Sequence, residues 1–478
     1  MNSDYADIRT LKDFKDYIKK ISISIVGIAR SNIALLDFLR KCGVKKITAR
    51  DKKNIFSDGD IQELKKLEKT VEINYILGEN YLDDLNEDII FKTPAIRRDL
   101  PQFANAVKNG SILTSEIELF FAICPCKTIA ITGSEGKTTT TTIIGEILKT
   151  AGKTTYVGGN IGSPLLNQIE NIKKDDYAIL ELSSFQLFDL DNGRFKPNYS
   201  VITNITPNHL DWHKNINEYI GSKKIIFKNQ NESDKIILSY DNDITKNFIS
   251  DINFFFSKNK LPDDYPNGIY CDNDNIIIRE NGEEKIILNK RDIFIRGEHN
   301  VWNFMAAIGV TYNIVNSDVI LNTAKTFKGV EHRIEFTRKL NGVSYYNSSI
   351  DSTPTRTIAA LNYFDEDKKI IIILGGYDKK IPFEPLAPAV YKKVKAAVLY
   401  GATKDKIKKC LDDYKKNNNC ADIKIYISDH FDLAVKQAKE LSGCGDIVLL
   451  SPACASMDCF KDFEERGNRF KELVKNFY

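Results

Sequence analysis

Three α/β domains, each built on a largely parallel sheet, are the architecture this chain predicts, and three observations predict it. Its 478 residues exceed what a single hydrophobic core organises. Short apolar runs rich in Ile, Val and Tyr alternate with helix-compatible stretches along the chain, which is the rhythm of βαβ units. One such run, beginning at Lys127, leads through Thr132 into Gly133-Ser134-Glu135-Gly136-Lys137-Thr138-Thr139 and then a helix-compatible segment, the strand, glycine turn and helix of a phosphate cradle. The boundaries drawn are 1–115, 116–330 and 331–478.

In residues 21 to 115 the strands fall at ISISIVGIA, KKITARD, VEINYILG, DIIFKTP and SILTSE, with helical stretches over SNIALLDFLRKCG, around NEDI and over LPQFANAVKNG. Gly27, Ile28, Ala29, Arg30 and Ser31 occupy the first strand-to-helix turn, where a dinucleotide fold carries G-x-G-x-x-G. Two of the three glycines are missing, so a nucleotide turn and an ordinary tight turn both stand. Asp51 ends the next strand at the distance of a residue that reads a ribose or base. The middle segment continues with TTYVGG, DYAILELSS, YSVITNI and DKIILSY, a β-rich patch from Ile252 to Leu288, and a closing helix from Asn300. In the last segment come VSYYNSS, a helix from Thr355, then KKIIIILGG, VKAAVLYG, IKIYIS and DIVLLSPA, before a charged terminal helix.

The phosphate cradle has a definite chemistry. Gly133 and Gly136 let backbone N–H groups converge on an anion, Lys137 supplies a point charge for the outer phosphates, and Thr138 is a Mg²⁺ ligand at a helix N-terminus. The nucleotide is therefore ATP or GTP. A longer G-x-x-x-x-G-K-[ST] loop would begin with glycine where this chain has Ile131. Glu181 closes an apolar strand, a place from which a carboxylate reaches Mg²⁺. His209 lies just past another strand, as a second metal ligand or as a capping or core histidine.

Formal net charge is +3 with many charges of both signs, so no global field marks nucleic acid or a membrane as partner, and small-molecule substrates are expected. The N-terminus lacks an apolar signal region, and no apolar run approaches bilayer length; the expected location is the cytoplasm. Nine cysteines, without a C-x-x-C pair, read as reduced thiols. His209 and His213 share an i, i+4 spacing, but no Cys or further His completes a zinc set.

Taken together these motifs resemble the Mur ligase family over nearly the whole chain. The resemblance is carried by Thr132 through Thr139, Gly158-Gly-Asn-Ile-Gly162, Leu180-Glu-Leu-Ser-Ser-Phe-Gln-Leu, Asn208-His-Leu-Asp, Gly297-Glu-His-Asn300, Glu331-His-Arg333, and the stretch Leu450-Ser-Pro-Ala-Cys-Ala-Ser-Met-Asp458 continuing to Phe463-Glu-Glu-Arg-Gly-Asn. It implies an N-terminal Rossmann-like uridine-nucleotide domain, a central P-loop ATPase-like mononucleotide-binding domain and a C-terminal Rossmann-like domain that receives the amino acid. The activity implied is ATP-dependent addition of D-glutamate to UDP-N-acetylmuramoyl-L-alanine through an acyl-phosphate, by a monomer, in peptidoglycan precursor synthesis.

Residue by residue, the resemblance implies that Gly133 to Thr139, Asn300 and Arg333 bind ATP, that Thr138 and Glu181 hold one Mg²⁺, and that His209 holds a second. Lys223 matches a lysine carried as a carbamate. Gly27 to Ser31 and Asp51 would hold the uridine nucleotide, Asn160 and Ser183 the muramoyl-alanyl part, and Lys379, Ser456, Met457 and Phe463 the D-glutamate. Three departures from the family pattern stand out. Thr93-Pro94-Ala95 replaces Ser-Pro-Gly, Ser348 replaces an aspartate with Asp351 as a possible substitute, and Ile350 replaces a lysine found in some relatives.

Overall fold

A computed structural model describes residues 3–56, 58–162, 164–190, 194–248, 253–364, 369–379, 381–418, 420 and 422–478. The chain forms two compact units, Met1–Thr326 and Phe327–Tyr478, and carries three sheets.

The first sheet is wholly parallel. Its strands lie in the order Glu72–Leu77, Lys46–Asp51, Ile23–Val26, Ile89–Lys92, Ile112–Thr114. The chain order reverses between Ile23–Val26 and Ile89–Lys92, and the crevice beyond the carboxyl ends of such a pair is where open parallel sheets bind ligands. Both strands are buried throughout, as a parallel sheet covered on both faces requires.

Nine strands make the second sheet, in the order Glu283–Asn289, Asn275–Glu280, Gly268–Asp272, Asn253–Ser257, Lys235–Ser239, Tyr199–Ile202, Lys127–Thr132, Tyr177–Glu181, Thr155–Gly159. Seven run parallel, and the two nearest one edge are antiparallel hairpin strands. This hairpin edge is the β-rich patch expected from sequence, although Ile252 itself lies outside the described residues.

Polar contacts join these two sheets into one unit. Lys92, buried at the end of its strand, pairs with Asp189 at 2.5 Å. The Trp212 indole N–H donates to the Ala95 carbonyl at 3.0 Å, and Arg97 bridges to Glu218.

The second unit holds six strands ordered Glu335–Leu340, Val343–Asn347, Ile447–Leu450, Ile370–Gly375, Val394–Tyr400, Lys424–Ile427, parallel except for the first pair. The run of four isoleucines, Ile370 to Ile373, is fully buried at its centre, where β-branched side chains pack on both faces.

Two local readings of the sequence need correction. NEDI is not helical, because strand Ile89–Lys92 begins inside it and Glu87 is drawn to buried Arg50 at 3.0 Å. Four residues could not in any case offset the cost of helix nucleation. Helices not anticipated are Leu11–Ile18, closed by a Thr10–Asp13 capping box, Asp58–Leu67 and Glu116–Ile123. No described helix is long and apolar enough to cross a membrane.

Helix Glu116–Ile123 contains an uncompensated group. Glu116 is buried, its Oε1 has no hydrogen-bond partner, and burial lifts its carboxyl from the ordinary 4.5 to about 7. A raised native-state value means stability that is present below the unfolded value near 4.5 and lost as pH rises through about 7. Glu116→Gln removes the ionisation. The melting temperature of this variant should therefore gain on the wild type as pH is raised from 5 to 8, and a pH-independent difference would show that Glu116 does not titrate there.

Candidate active site

The phosphate loop follows strand Lys127–Thr132 and ends at helix Lys137–Thr150. Two glycines shape it. Gly133 has φ +150°, and an added Cβ would lie 1.9 Å from Thr203 Oγ1. Gly136 has φ +78°, and its added Cβ would meet Asn303 Oδ1 at 2.4 Å. Both positions therefore exclude a side chain by conformation and by space. The loop is tied to the neighbouring strand end: Ser134 N–H donates to the Asn204 carbonyl at 2.9 Å, and Glu135 N–H to Asn204 Oδ1 at 3.0 Å. These two amides are thus engaged within the protein, leaving the N-terminus of helix Lys137–Thr150 as the loop's anion-facing end. Lys137 folds back so that Nζ donates to the carbonyls of Gly133 and Ser134, at 3.1 and 3.0 Å.

Beside the loop, Glu181 is buried and held by neutral donors. Thr138 Oγ1 donates to Oε2 at 2.7 Å and Asn160 Nδ2 to Oε1 at 3.0 Å, and among the described residues it has no ion-pair partner. Strand Thr155–Gly159 approaches closely enough that a Cβ on Gly159 would lie 2.2 Å from the Glu181 carbonyl oxygen. A buried carboxylate with a threonine hydroxyl against it is a hard-oxygen donor set, and it fits Mg²⁺ with substrate oxygens or water completing the shell. No group of three or more His, Cys, Asp or Glu gathers as a metal cage among the described residues. A cation at this position would have few protein ligands among the described residues.

Lys223, on helix Ile216–Lys224, reaches under the loop, where Nζ donates to the Gly133 carbonyl at 2.8 Å and to Thr132 Oγ1 at 3.2 Å. It is buried, and that burial, aided by the nearby Lys137 charge, pulls its amine down to about 7. His209 adopts φ +54°, with its ring 5.0 Å from that of Phe185. Although the residue is exposed, partial desolvation of its ring, with the Lys223 and Lys137 charges adding to it and Asp211 opposing, lowers its pKa and favours the neutral, ligating imidazole. Gly133, Ser134, Lys137, Asn160, Ser183, His209 and Lys223 all line one cavity of about 190 Å³.

At the first sheet, Gly27 has φ +90° and Ile28 N–H donates to Asp51 Oδ2 at 2.6 Å. Lys53 N–H takes Asp51 Oδ1 at 2.8 Å, so Asp51 braces the turn in addition to any ligand contact. Ala29 and Ser31 lie at the start of helix Arg30–Lys41, and the Arg30 side chain is outside the described set. Asn300 Nδ2 donates to the Arg296 carbonyl at 2.7 Å, and its Oδ1 accepts from Asn303 Nδ2 at 3.4 Å.

In the second unit, the segments after strands Val343–Asn347, Ile370–Gly375 and Ile447–Leu450 converge. Their strut is Arg466, fully buried, which donates to the carbonyls of Ser349, Cys454 and Ala455 at 2.8, 3.1 and 3.1 Å and to Ser349 Oγ at 2.9 Å. Around it lie buried Ser456, exposed Met457 and half-buried Phe463, whose carbonyl accepts from Ser349 Oγ at 2.7 Å. Lys379 is exposed and donates to Ser352 Oγ at 3.3 Å. Arg333 belongs to the same unit, in the turn before strand Glu335–Leu340.

Sequence reasoning missed Arg466, Ser184, Arg97 and Asn303. It noted His213 only as one half of a metal pair. In the structure both rings pack on Phe185, His209 at 5.0 Å and His213 at 5.8 Å, and His213 Nε2 is engaged by the Ser184 hydroxyl at 2.9 Å.

Comparison with known proteins gives a consistent picture. Residues 131–311 match the Mur ligase middle domain, and residues 332–454 match the Mur ligase, glutamate ligase domain. The chain is 46% identical to the UDP-N-acetylmuramoylalanine--D-glutamate ligase of Acetivibrio thermocellus, over 98% of each chain. It is 45% identical to the protein of that name from Clostridium novyi, over 98% of this chain and 99% of the relative. Among solved structures, the UDP-N-acetylmuramate-alanine ligase of Thermotoga maritima has the same fold, with a TM-score of 0.55 at 19% identity over 95% of this chain and 99% of that one.

Gly133→Ala tests whether the loop geometry is what a nucleoside triphosphate needs. A side chain at this φ and spacing costs about 1–3 kcal/mol, which predicts about a ten- to hundredfold loss of ATP affinity. Equilibrium binding of ATP to the variant checks this, and unchanged affinity would remove the loop from the nucleotide site.

Proposed function

The chain belongs to the Mur ligase family, and we propose that it joins D-glutamate to UDP-N-acetylmuramoyl-L-alanine at the expense of ATP, as a cytoplasmic monomer supplying peptidoglycan precursors. The near-full-length likeness to relatives named for that ligation carries this reading. The cavity beside the phosphate loop supports it chemically, because it gathers a cation and a buried amine where a phosphoryl group would be transferred, with the buried Glu181 carboxylate bonded to the lining residue Asn160.

A carboxylate is a poor electrophile in water. Its attack on the γ-phosphorus of ATP gives an acyl-phosphate and ADP. The D-glutamate amine then attacks the acyl carbon, and phosphate leaves. In this scheme Lys137 swings from the loop carbonyls to the outer phosphates, and the helix N-terminus with Gly133 to Thr139 cradles them. Mg²⁺ would neutralise charge on the transferring group, one ion held by Thr138 and Glu181 and a second by His209. Asn300 and Arg333 would hold ATP, Gly27 to Ser31 with Asp51 the uridine nucleotide, and Asn160 with Ser183 the muramoyl-alanyl part.

Lys223 is assigned a carbamate. Only the neutral amine captures CO₂, and burial that lowers its affinity for a proton makes that form available near neutral pH. The carbamate would turn a buried cation into an anion suited to the second Mg²⁺. D-Glutamate has two carboxylates, for which Lys379 offers a cation and Ser456 with local backbone N–H groups offers donors; Met457 and Phe463 flank them.

Phosphate release should require ATP, UDP-N-acetylmuramoyl-L-alanine and D-glutamate together. Lys137→Ala should slow it by about 10²-fold or more. L-Glutamate, which leaves a buried donor unpaired, should be used at least about tenfold less efficiently than D-glutamate. Release with any substrate omitted, or equal use of the two enantiomers, would refute the assignment. For the carbamate, Lys223→Ala should be nearly inactive and partly restored by added formate or acetate; full activity without rescue would exclude it.

A further inference from the structure

One wall of the cavity carries a polar line that none of the roles above uses. His213 is buried, and its Nε2 lies 2.9 Å from the hydroxyl of Ser184, a residue that lines the cavity. On its other side Nδ1 faces Glu218 Oε2 at 3.5 Å and has no hydrogen-bond partner among the described residues. Glu218 is held in place by the Arg97 guanidinium, which donates to Oε2 at 3.0 Å and to Oε1 at 2.9 Å. Arg97 itself packs against two rings that meet edge to face, 4.9 Å from Phe188 and 4.8 Å from Trp212. The line therefore starts in the segment after first-sheet strand Ile89–Lys92 and ends at the cavity.

Its electrostatics fix a direction. A carboxylate opposite Nδ1 places the imidazole proton on that nitrogen, which leaves Nε2 with a lone pair. Ser184 must then donate to Nε2, and its oxygen turns only lone pairs toward the cavity. Ring packing against Phe185 and Tyr219, at 5.8 and 5.3 Å, holds the imidazole plane but does not select which nitrogen carries the proton. Glu218 makes that selection.

We propose that His213 is a positioning residue that fixes the Ser184 hydroxyl as a hydrogen-bond acceptor for the L-alanyl amide N–H of UDP-N-acetylmuramoyl-L-alanine, with Glu218 and Arg97 setting the imidazole tautomer. The proposal rests on the ligase reading, and it adds a contact that reads the peptide portion of that substrate. A group placed next to the reacting carboxylate can orient it without touching phosphate. The effect therefore belongs to one substrate and not to ATP.

The test is a double-mutant cycle read by KM for each substrate and by Trp212 fluorescence on binding UDP-N-acetylmuramoyl-L-alanine without ATP. Ser184→Ala and His213→Asn, which keeps the Nδ1 position but loses Nε2, should each weaken that substrate about tenfold and leave the KM for ATP within about twofold. His213→Gln, whose amide reaches the Nε2 position, should recover most of the loss. In the Ser184→Ala background His213→Asn should add less than about a twofold change, because the only group it acts through is gone. Additive losses, an equal rise in KM for ATP, or wild-type affinity in His213→Asn would overturn the proposal. Should His213→Asn fail to fold, Glu218→Gln in the two backgrounds supplies the same cycle. Failure of the wild type to bind or turn over the substrate would instead defeat the ligase reading itself, so the two failures are distinct.

Discussion

A buried carboxylate whose direct hydrogen bonds come from neutral donors is the constraint around which the candidate active site is built. Moving a carboxylate out of water costs several kcal/mol even after relaxation, and Thr138 and Asn160 offset only part of that with neutral hydrogen bonds. The groups around Glu181 follow from keeping it there. Gly159 must lack a side chain because the Glu181 carbonyl occupies the space, and Thr138 must open the helix so that its hydroxyl faces the carboxylate. Lys223 is the opposite case, a buried amine bonded to a carbonyl and a hydroxyl. Each is poorly compensated by the protein alone, and each is suited to an incoming charged partner.

How legible this was in the sequence follows from how local each cause is. Most strands of the three sheets showed as apolar runs because burial on both faces leaves a continuous signature, as in Ile370–Gly375, whereas the half-buried edge strand Glu335–Leu340, with its polar EFTRKL, was not read. The phosphate loop showed because its requirements, two glycines and a lysine, fall within a few residues. Helix Asp58–Leu67 was missed because its polar DGDIQELKKL offers a narrow apolar face, and Glu116–Ile123 because its uniform burial erases the helical period. Arg466 was invisible as a strut since it joins carbonyls of the nearby Cys454–Ala455 segment to Ser349, far earlier in the sequence. Asp51 illustrates a partial reading: its position at a strand end was evident, yet its carboxylate is bound to Ile28 and Lys53.

The same distinction explains the polar line through His213. Spacing alone put His209 and His213 on one face and invited a metal pair. The chain turns at His209, which has a positive φ and a carbonyl that accepts from Trp212 and His213 N–H; both rings then pack on Phe185, and it is Ser184 that engages His213 Nε2. What the spacing could not contain was Arg97, more than a hundred residues earlier, which determines where Glu218 sits and so which nitrogen of His213 is protonated.

The end of the second unit's sheet shows polar groups buried by local hydrogen bonds. Ser348 is buried and its hydroxyl accepts the Ile334 N–H at 3.1 Å, a backbone contact a short polar side chain makes without introducing charge. Asp351 is also buried, and Ser451 Oγ donates to it at 2.8 Å beside the end of strand Ile447–Leu450. Burial raises its pKa to about 6, and the Ser348 and Ser451 hydroxyls, followed by the Arg333 and Arg356 charges, work against that rise. The carboxyl is thus held by neutral donors and cations together, so that no single partner decides its charge near neutral pH.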